Sequence, residues 1–260
     1  MTTERPFSIR GKVTLVTGGS SGIGLMIADA YVRAGARTYI SSRKKDLCDG
    51  IATELRKHGE CVSIPADVAT AAGRSQLVAE LTKRETALHV LVNNAGTNWG
   101  APLDTYPEDG FRKVTTLNTE AVFFLSQALL PLLTAAGSAE DPARIINIGS
   151  IDGLRVPSVD NFAYSASKAA VHHMTRVLAV KLGARHVTVN AVAPGPFESR
   201  MTEWLLDNMR DEIVARCPLG RIGAPADMAG IAIFLASRAA AYVTGAVIPV
   251  DGGLSIASVG

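Results

Sequence analysis

A chain of 260 residues, 47% hydrophobic and 19% charged, is long enough for one large α/β domain with a sizeable core. A formal charge of +2, with no dense Lys/Arg block or aromatic interleaving, argues against nucleic acid as a partner. Three widely spaced cysteines, Cys48, Cys61 and Cys217, form no metal-type or redox-type doublet; the opening Met1–Pro6 has no apolar signal core, and no uninterrupted apolar run approaches the ~20 residues of a membrane span, so a cytoplasmic protein is expected.

Short β-branched runs alternate with helical patterns along the chain. This predicts a single doubly wound, Rossmann-type α/β domain over residues 1–260, with a seven-stranded parallel sheet and helices on both faces. Strands are expected at Val13–Thr17, Thr38–Ser41, Val62–Ala66, Val90–Asn93, Ile145–Ile148, Val187–Val192 and Val247–Val250. Ligands of such sheets bind beyond the carboxyl ends of the strands, so the residues that leave the strands are the ones to inspect.

The first strand exits into Thr17-Gly18-Gly19-Ser20-Ser21-Gly22-Ile23-Gly24 ahead of a helical pattern. Glycine admits positive φ and close approach of a ligand, and the first amides of a helix attract phosphate. Gly18, Ser20, Ser21, Gly22, Ile23 and Gly24 are therefore candidates for a pyrophosphate cradle, although the spacing differs from GxGxxG and an ordinary glycine-rich turn is the alternative. The second strand ends at Ser42 and Arg43, where an NAD-preferring site would offer a carboxylate. Here a hydroxyl and a guanidinium suit the extra 2′-phosphate of NADP, against the alternative of an exposed basic turn. NADP(H) is thus the preferred cofactor, with NAD(H) possible. Asp67, beside Val68, can accept from an adenine amine or cap the next helix. The fourth strand closes on Asn93-Asn94-Ala95-Gly96, and Asn94, Ala95 and Gly96 are small enough to let a dinucleotide pass close to the backbone; an Asn-Gly-type turn is the rival.

The fifth strand exits through Ser150, followed by Tyr164 and Lys168. Residues at i and i+4 share a helix face, so the Lys168 ammonium is expected beside the Tyr164 phenol, moving its pKa toward neutrality for proton transfer. Between Pro194 and Gly220 lie Phe197, Met201, Trp204, Leu205, Leu206 and Met209. They read as a lid around 196–220 over an apolar substrate, or as a helix packed on the core. Trp99 and the stretch Ile151–Phe162 would complete the pocket. The five histidines, His172 and His173 adjacent and His58, His89 and His186 scattered, show no ligand pattern; no metal site is expected, and all are read as structural or solvated.

Taken in order, Thr17–Gly24, Asn93–Gly96, Asn118, Ser150, Tyr164, Lys168 and Pro194-Gly195 resemble the short-chain dehydrogenase/reductase family, from Gly11 to the Val250-Asp251-Gly252-Gly253 tail. Within it, Thr97-Asn98-Trp99-Gly100 and Ser199-Arg200-Met201-Thr202 look most like 3-oxoacyl thioester reductases, including the type linked to rhamnolipid-producing bacteria. The resemblance implies an NADPH-dependent carbonyl reductase with Tyr164 as general acid and base, Lys168 on the nicotinamide ribose, Ser150 on the substrate oxygen and Asn118 anchoring a water that links Lys168 to solvent. Pro194, Gly195 and Ser199 would border the nicotinamide. Many NADP-preferring relatives carry a basic residue where this chain has Ser21, which leaves Arg43 to discriminate largely alone. Similar reductases are commonly tetramers with a tail like Tyr242–Gly253, so a homotetramer is expected. An acidic acyl carrier protein is an open question: Arg185 falls where a docking residue is placed, but Ser138–Pro142 is acidic. A dehydrogenase of a polyol, steroid or other secondary alcohol shares every residue named, and a non-catalytic dinucleotide sensor is the reading from another class.

Overall fold

Val13–Thr17, reading VTLVT, is buried at every position; such a run, apolar or hydroxyl-bearing on both faces, belongs in a parallel sheet covered on both sides. In the computed structural model, which describes residues 6–257, it is β1. The sheet continues with β2 (Arg37–Ser41), β3 (Cys61–Ser63), β4 (Val90–Asn93), β5 (Ala143–Ile148), β6 (Val187–Pro194) and β7 (Val247–Val250). The order is β3-β2-β1-β4-β5-β6-β7 and every pairing is parallel. The chain reverses direction across the sheet between β1 and β4, and there the carboxyl ends of neighbouring strands part to form a crevice. Of the opening segment read from sequence, Met1–Arg5 lies outside the described residues.

Seven strands are found where seven were expected, with shifted ends. β3 stops at Ser63 rather than Ala66, although Ile64 N and Ala66 N still donate to Ile40 O at 2.9 Å and Ser42 O at 3.1 Å beyond its end. β6 runs on to Pro194, carrying Pro194 and Gly195 to the mouth of the crevice. One face of the sheet packs on α1 (Gly22–Arg33) and α8 (Pro225–Ala236) through Val16, Ile27, Tyr31, Val92, Met228 and Leu235. The other packs on α3 (Ala71–Thr82), α5 (Ala121–Ala136) and α6 (Phe162–Leu182) through Leu15, Leu77, Leu91, Leu125, Leu129 and Val189.

The helical segment between β4 and β5 is one long run. α4 (Glu108–Thr115) passes through a π-turn at Thr116–Glu120 into α5. This run is long and apolar enough to cross a membrane by length and composition, yet Leu117, Ala121, Leu125 and Leu129 pack into the sheet's core. α7 (Glu203–Arg216) stands over the carboxyl edge of the sheet.

Candidate active site

The glycine turn after β1 has the shape the sequence suggested. Gly22 takes φ +52°, a left-handed conformation that suits glycine. Ser21, the residue before α1, is extended and its side chain makes no bond to the helix, so the first amides of α1 remain open to an anion. A Cβ on Gly24 would overlap the Gly18 carbonyl and the Asn94 amide. Asn94 holds the turn from behind: its Nδ2 donates to Thr17 O at 2.9 Å and to Gly18 O at 3.3 Å. The Thr17 hydroxyl accepts from Asn94 N and Ala95 N, both at 3.0 Å. Sequence reasoning missed Thr17 as a supporting residue; its position as the last residue of β1 was the available signal.

At the end of β2 the Ser42 hydroxyl is buried without a partner, and Arg43 is exposed with no hydrogen bond or ion pair among the described residues. An orphaned hydroxyl beside an uncommitted guanidinium fits a phosphate ester. Asp67 Oδ1 accepts from Ala69 N at 3.1 Å, while Thr70 caps α3 through Gly73 N at 3.0 Å. Of the two roles open to Asp67, capping that helix therefore belongs to Thr70. Val68 is buried beside it.

Ser150 leaves β5 extended, and its Oγ accepts from Asp152 N at 3.1 Å. Tyr164 and Lys168 lie on one face of α6, but the ammonium is not at the phenol oxygen. Lys168 Nζ donates to Ile148 O at 2.7 Å and stands over the Tyr164 ring, 5.4 Å from its centre. The expected lowering of the Tyr164 pKa by Lys168 is accordingly corrected. Burial pushes the phenol up to about 12, opposed by the Ser150 hydroxyl, and burial brings the Lys168 ammonium down to about 8. Asn118 sits in the π-turn with its side chain fully engaged: Oδ1 accepts from Thr97 N at 2.9 Å, and Nδ2 donates to Thr97 O and Ser167 Oγ, both at 3.0 Å. Its amide braces α4 and α5 against α6, and it lies close to Lys168 across Gly96.

These pieces surround one cavity of about 960 Å³. Gly18, Ser21, Gly22 and Ile23 line it at the cradle; Asn94, Ala95, Gly96, Ser150, Tyr164, Lys168, Pro194, Gly195 and Ser199 line it further in. Ser199 packs against Gly22 and is fixed by Thr202, whose Oγ1 lies 2.9 Å from Ser199 Oγ. From α7, Leu205, Met209 and Ile213, one helix face, form an apolar wall with Met201 and Trp204. One pocket assignment needs revision. Trp99 does not line the cavity; it stacks on α4, where a Cβ on Gly110 would meet its ring at 2.9 Å, and Lys113 Nζ lies 5.2 Å from the ring centre. Phe197 lines the cavity as expected, though only 1% exposed and packed beneath Gly223.

A crevice at the switch point of a doubly wound sheet, with a glycine cradle at one end and Ser150, Tyr164 and Lys168 at its centre, defines a dinucleotide-dependent oxidoreductase site. The chain belongs to the short-chain dehydrogenase/reductase family. The family described as enoyl-(acyl carrier protein) reductase matches residues 18–255. A rhamnolipids biosynthesis 3-oxoacyl-[acyl-carrier-protein] reductase of Pseudomonas aeruginosa is 47% identical over 96% of this chain and 98% of that one. The solved Pseudomonas aeruginosa RhlG/NADP active-site complex superposes with a TM-score of 0.94 at 47% identity, covering 97% of this chain and 100% of the other. A gluconate 5-dehydrogenase from Burkholderia cenocepacia in complex with NADP and tartrate superposes with a TM-score of 0.91 at 32% identity, covering 97% and 98%.

Proposed function

We propose that this protein is a cytoplasmic, NADPH-dependent carbonyl reductase that delivers hydride to the ketone of a 3-oxoacyl thioester. The observation that carries the reading is the single cavity joining the glycine cradle, the Ser150–Tyr164–Lys168 group and the apolar face of α7. The similarity to a 3-oxoacyl-[acyl-carrier-protein] reductase and to an NADP complex supports the substrate and coenzyme.

NADPH, when bound, supplies the hydride. The cradle amides of α1 would hold its pyrophosphate and Ser42 with Arg43 its 2′-phosphate. Ser150 Oγ would donate a hydrogen bond to the substrate's ketone oxygen as negative charge gathers there, and the Tyr164 hydroxyl would give that oxygen its proton. A phenol raised to about 12 is protonated at neutral pH, which is the state a donor needs for reduction. Lys168, charged below about 8, would grip the nicotinamide ribose. With the Asn118 amide engaged by Thr97 and Ser167, water for resupplying the proton would be held by backbone in the π-turn. The wall of Leu205, Met209 and Ile213 would exclude bulk water from the acyl chain.

A second reading, oxidation of a sugar acid or other polar secondary alcohol, is favoured by Arg155 and Arg200 on the cavity wall and by the likeness to a gluconate 5-dehydrogenase. One screen separates the readings: NADPH oxidation with a 3-oxoacyl thioester on coenzyme A and on carrier protein, the matching 2-enoyl thioester, and gluconate with NADP+. The 3-oxoacyl thioester is expected to turn over fastest, and Tyr164→Phe to lose ~10²–10⁴ of that rate while still binding NADPH. No activity on either thioester rejects the proposal. The carrier arm also weighs docking: Asp141 of the acidic loop is neutralised by Lys12 at 2.6 Å and Arg144 at 2.5 Å, leaving Arg185 exposed nearby.

The homotetramer is part of the proposal. Phe123 and Phe124 on α5 and Val177 and Val180 on α6 are exposed, Val180 to 82%. Such apolar residues on adjacent helices suit a subunit interface, and sedimentation at micromolar concentration would reject it by giving a monomer.

A further inference from the structure

Tyr164, Lys168 and His172 follow one another at four-residue steps along α6, on one helix face. His172 is 2% exposed, and its imidazole lies against the Gly153 backbone, too far out of line for a well-formed hydrogen bond. Its ring occupies a slot between two glycines. A Cβ on Gly149 would overlap the imidazole Nε2; a Cβ on Gly153 would meet the α6 backbone at Lys168 C and Ala169 N, both at 2.7 Å, and then Cε1 at 2.9 Å. The segment that crosses this slot carries Ser150 and follows directly on Ile148, whose carbonyl accepts from Lys168 Nζ at 2.7 Å. The charged groups facing the ring are Lys168 and Arg176, and burial holds the imidazole at about 4, so it is neutral at working pH.

We propose that His172 is a positioning residue for hydride transfer: its ring is the spacer that sets the distance between the Tyr164–Lys168 face of α6 and the turn bearing Ile148 O and Ser150. The proposal rests on the reductase reading above. On the Gly149 side the ring meets bare backbone, which has no side chain that can yield, and so fixes the gap there. Misplacement of a reacting group by ~1 Å costs on the order of a hundredfold in rate.

The test is a double-mutant cycle between His172→Ala and Gly149→Ala, read as kcat, KM, NADPH Kd and Tm. His172→Ala is expected to lower kcat roughly tenfold or more with KM and NADPH Kd nearly unchanged. Gly149→Ala forces the turn away from the imidazole and lowers kcat about a hundredfold. In the double variant the new methyl enters the space the ring vacates, so kcat rises roughly tenfold above that of Gly149→Ala alone, a coupling of opposite sign to simple addition. A readout independent of turnover is the Lys168 titration by ¹³C-lysine NMR: in His172→Ala it moves from about 8 toward the ordinary 10.5 as water reaches the loosened turn. The proposal is overturned by additive losses in the double variant, or by His172→Ala with parental kcat and an unmoved Lys168 titration. If Gly149→Ala does not fold, His172→Ala decides through those two measurements. A parent protein inactive on every carbonyl tested removes the reductase reading instead, and the Lys168 titration still tests the spacer.

Discussion

Lys168 Nζ stands over the face of the Tyr164 ring, 5.4 Å from its centre, and spends its hydrogen bond on the Ile148 carbonyl. The i, i+4 spacing correctly puts the two side chains on one face, but the rotamer that reaches Ile148 O directs the charge away from the phenol oxygen. Burial then dominates both titrations, raising the acid and lowering the amine.

The pH dependence of ketone reduction follows from these two shifts. Tyr164, raised to about 12, stays protonated across the neutral range, whereas Lys168 loses its proton above about 8. The kcat/KM for NADPH oxidation is expected to be level around neutrality and to decline in the alkaline range with an apparent pKa near 8. A profile flat through that region would remove Lys168 from the chemistry.

Stability should show the same burial with the opposite sense. The folded pKa of Lys168, about 8, lies below its ordinary 10.5, so between those values the unfolded chain binds more protons and stability rises with pH. Above about 10 the raised Tyr164 reverses the trend, because the unfolded phenol ionises first. Lys168→Met, which buries no charge, is expected to be more stable than the parent at neutral pH and to lose the rise. Urea midpoints measured from neutral to alkaline pH check both statements.

Arg43 is the exposed cation beside the orphaned Ser42 hydroxyl. Arg43→Ala should weaken NADPH about tenfold or more, the loss of one charge-assisted contact, and leave NADH unchanged. Titration of each coenzyme by fluorescence decides it; equal affinities for the two in the parent protein reject the assignment.

The two tryptophans should separate cleanly. Trp204 is 68% exposed on the cavity wall, and Trp99 is stacked on α4 away from it. Trp204→Ala is expected to raise substrate KM by roughly tenfold with little change in Tm. Trp99→Ala should cost ~2 kcal/mol of stability and leave KM alone. Melting curves and steady-state kinetics on both variants would expose a reversed pattern.

Much of this was legible in the sequence because the signals were local. β-branched runs punctuated by glycine turns fix a parallel sheet, and its strand exits name the cradle from Gly18 to Gly24, Ser42, Arg43 and Ser150. What was not legible depended on contacts across the chain. Trp99 looked like a pocket residue until Gly110 offered it a seat on α4. The Asn118 amide finds Thr97 and Ser167, contacts that lie across the chain. Asp67 had two local roles, and Thr70, three residues on, took one of them. His172, set aside as structural, gains meaning only from Gly149 and Gly153, which approach it from another part of the fold.

The Thr17 hydroxyl donates to Val92 O at 3.2 Å while accepting from Asn94 N and Ala95 N, joining segments more than seventy positions apart. The glycine turn therefore acquires its final shape only after the fourth strand has docked beside the first. Coenzyme affinity is consequently a late acquisition during folding, dependent on a long-range closure that is slow to form. An amino-terminal fragment ending before Val90 would contain every cradle glycine and still be unable to bind a dinucleotide.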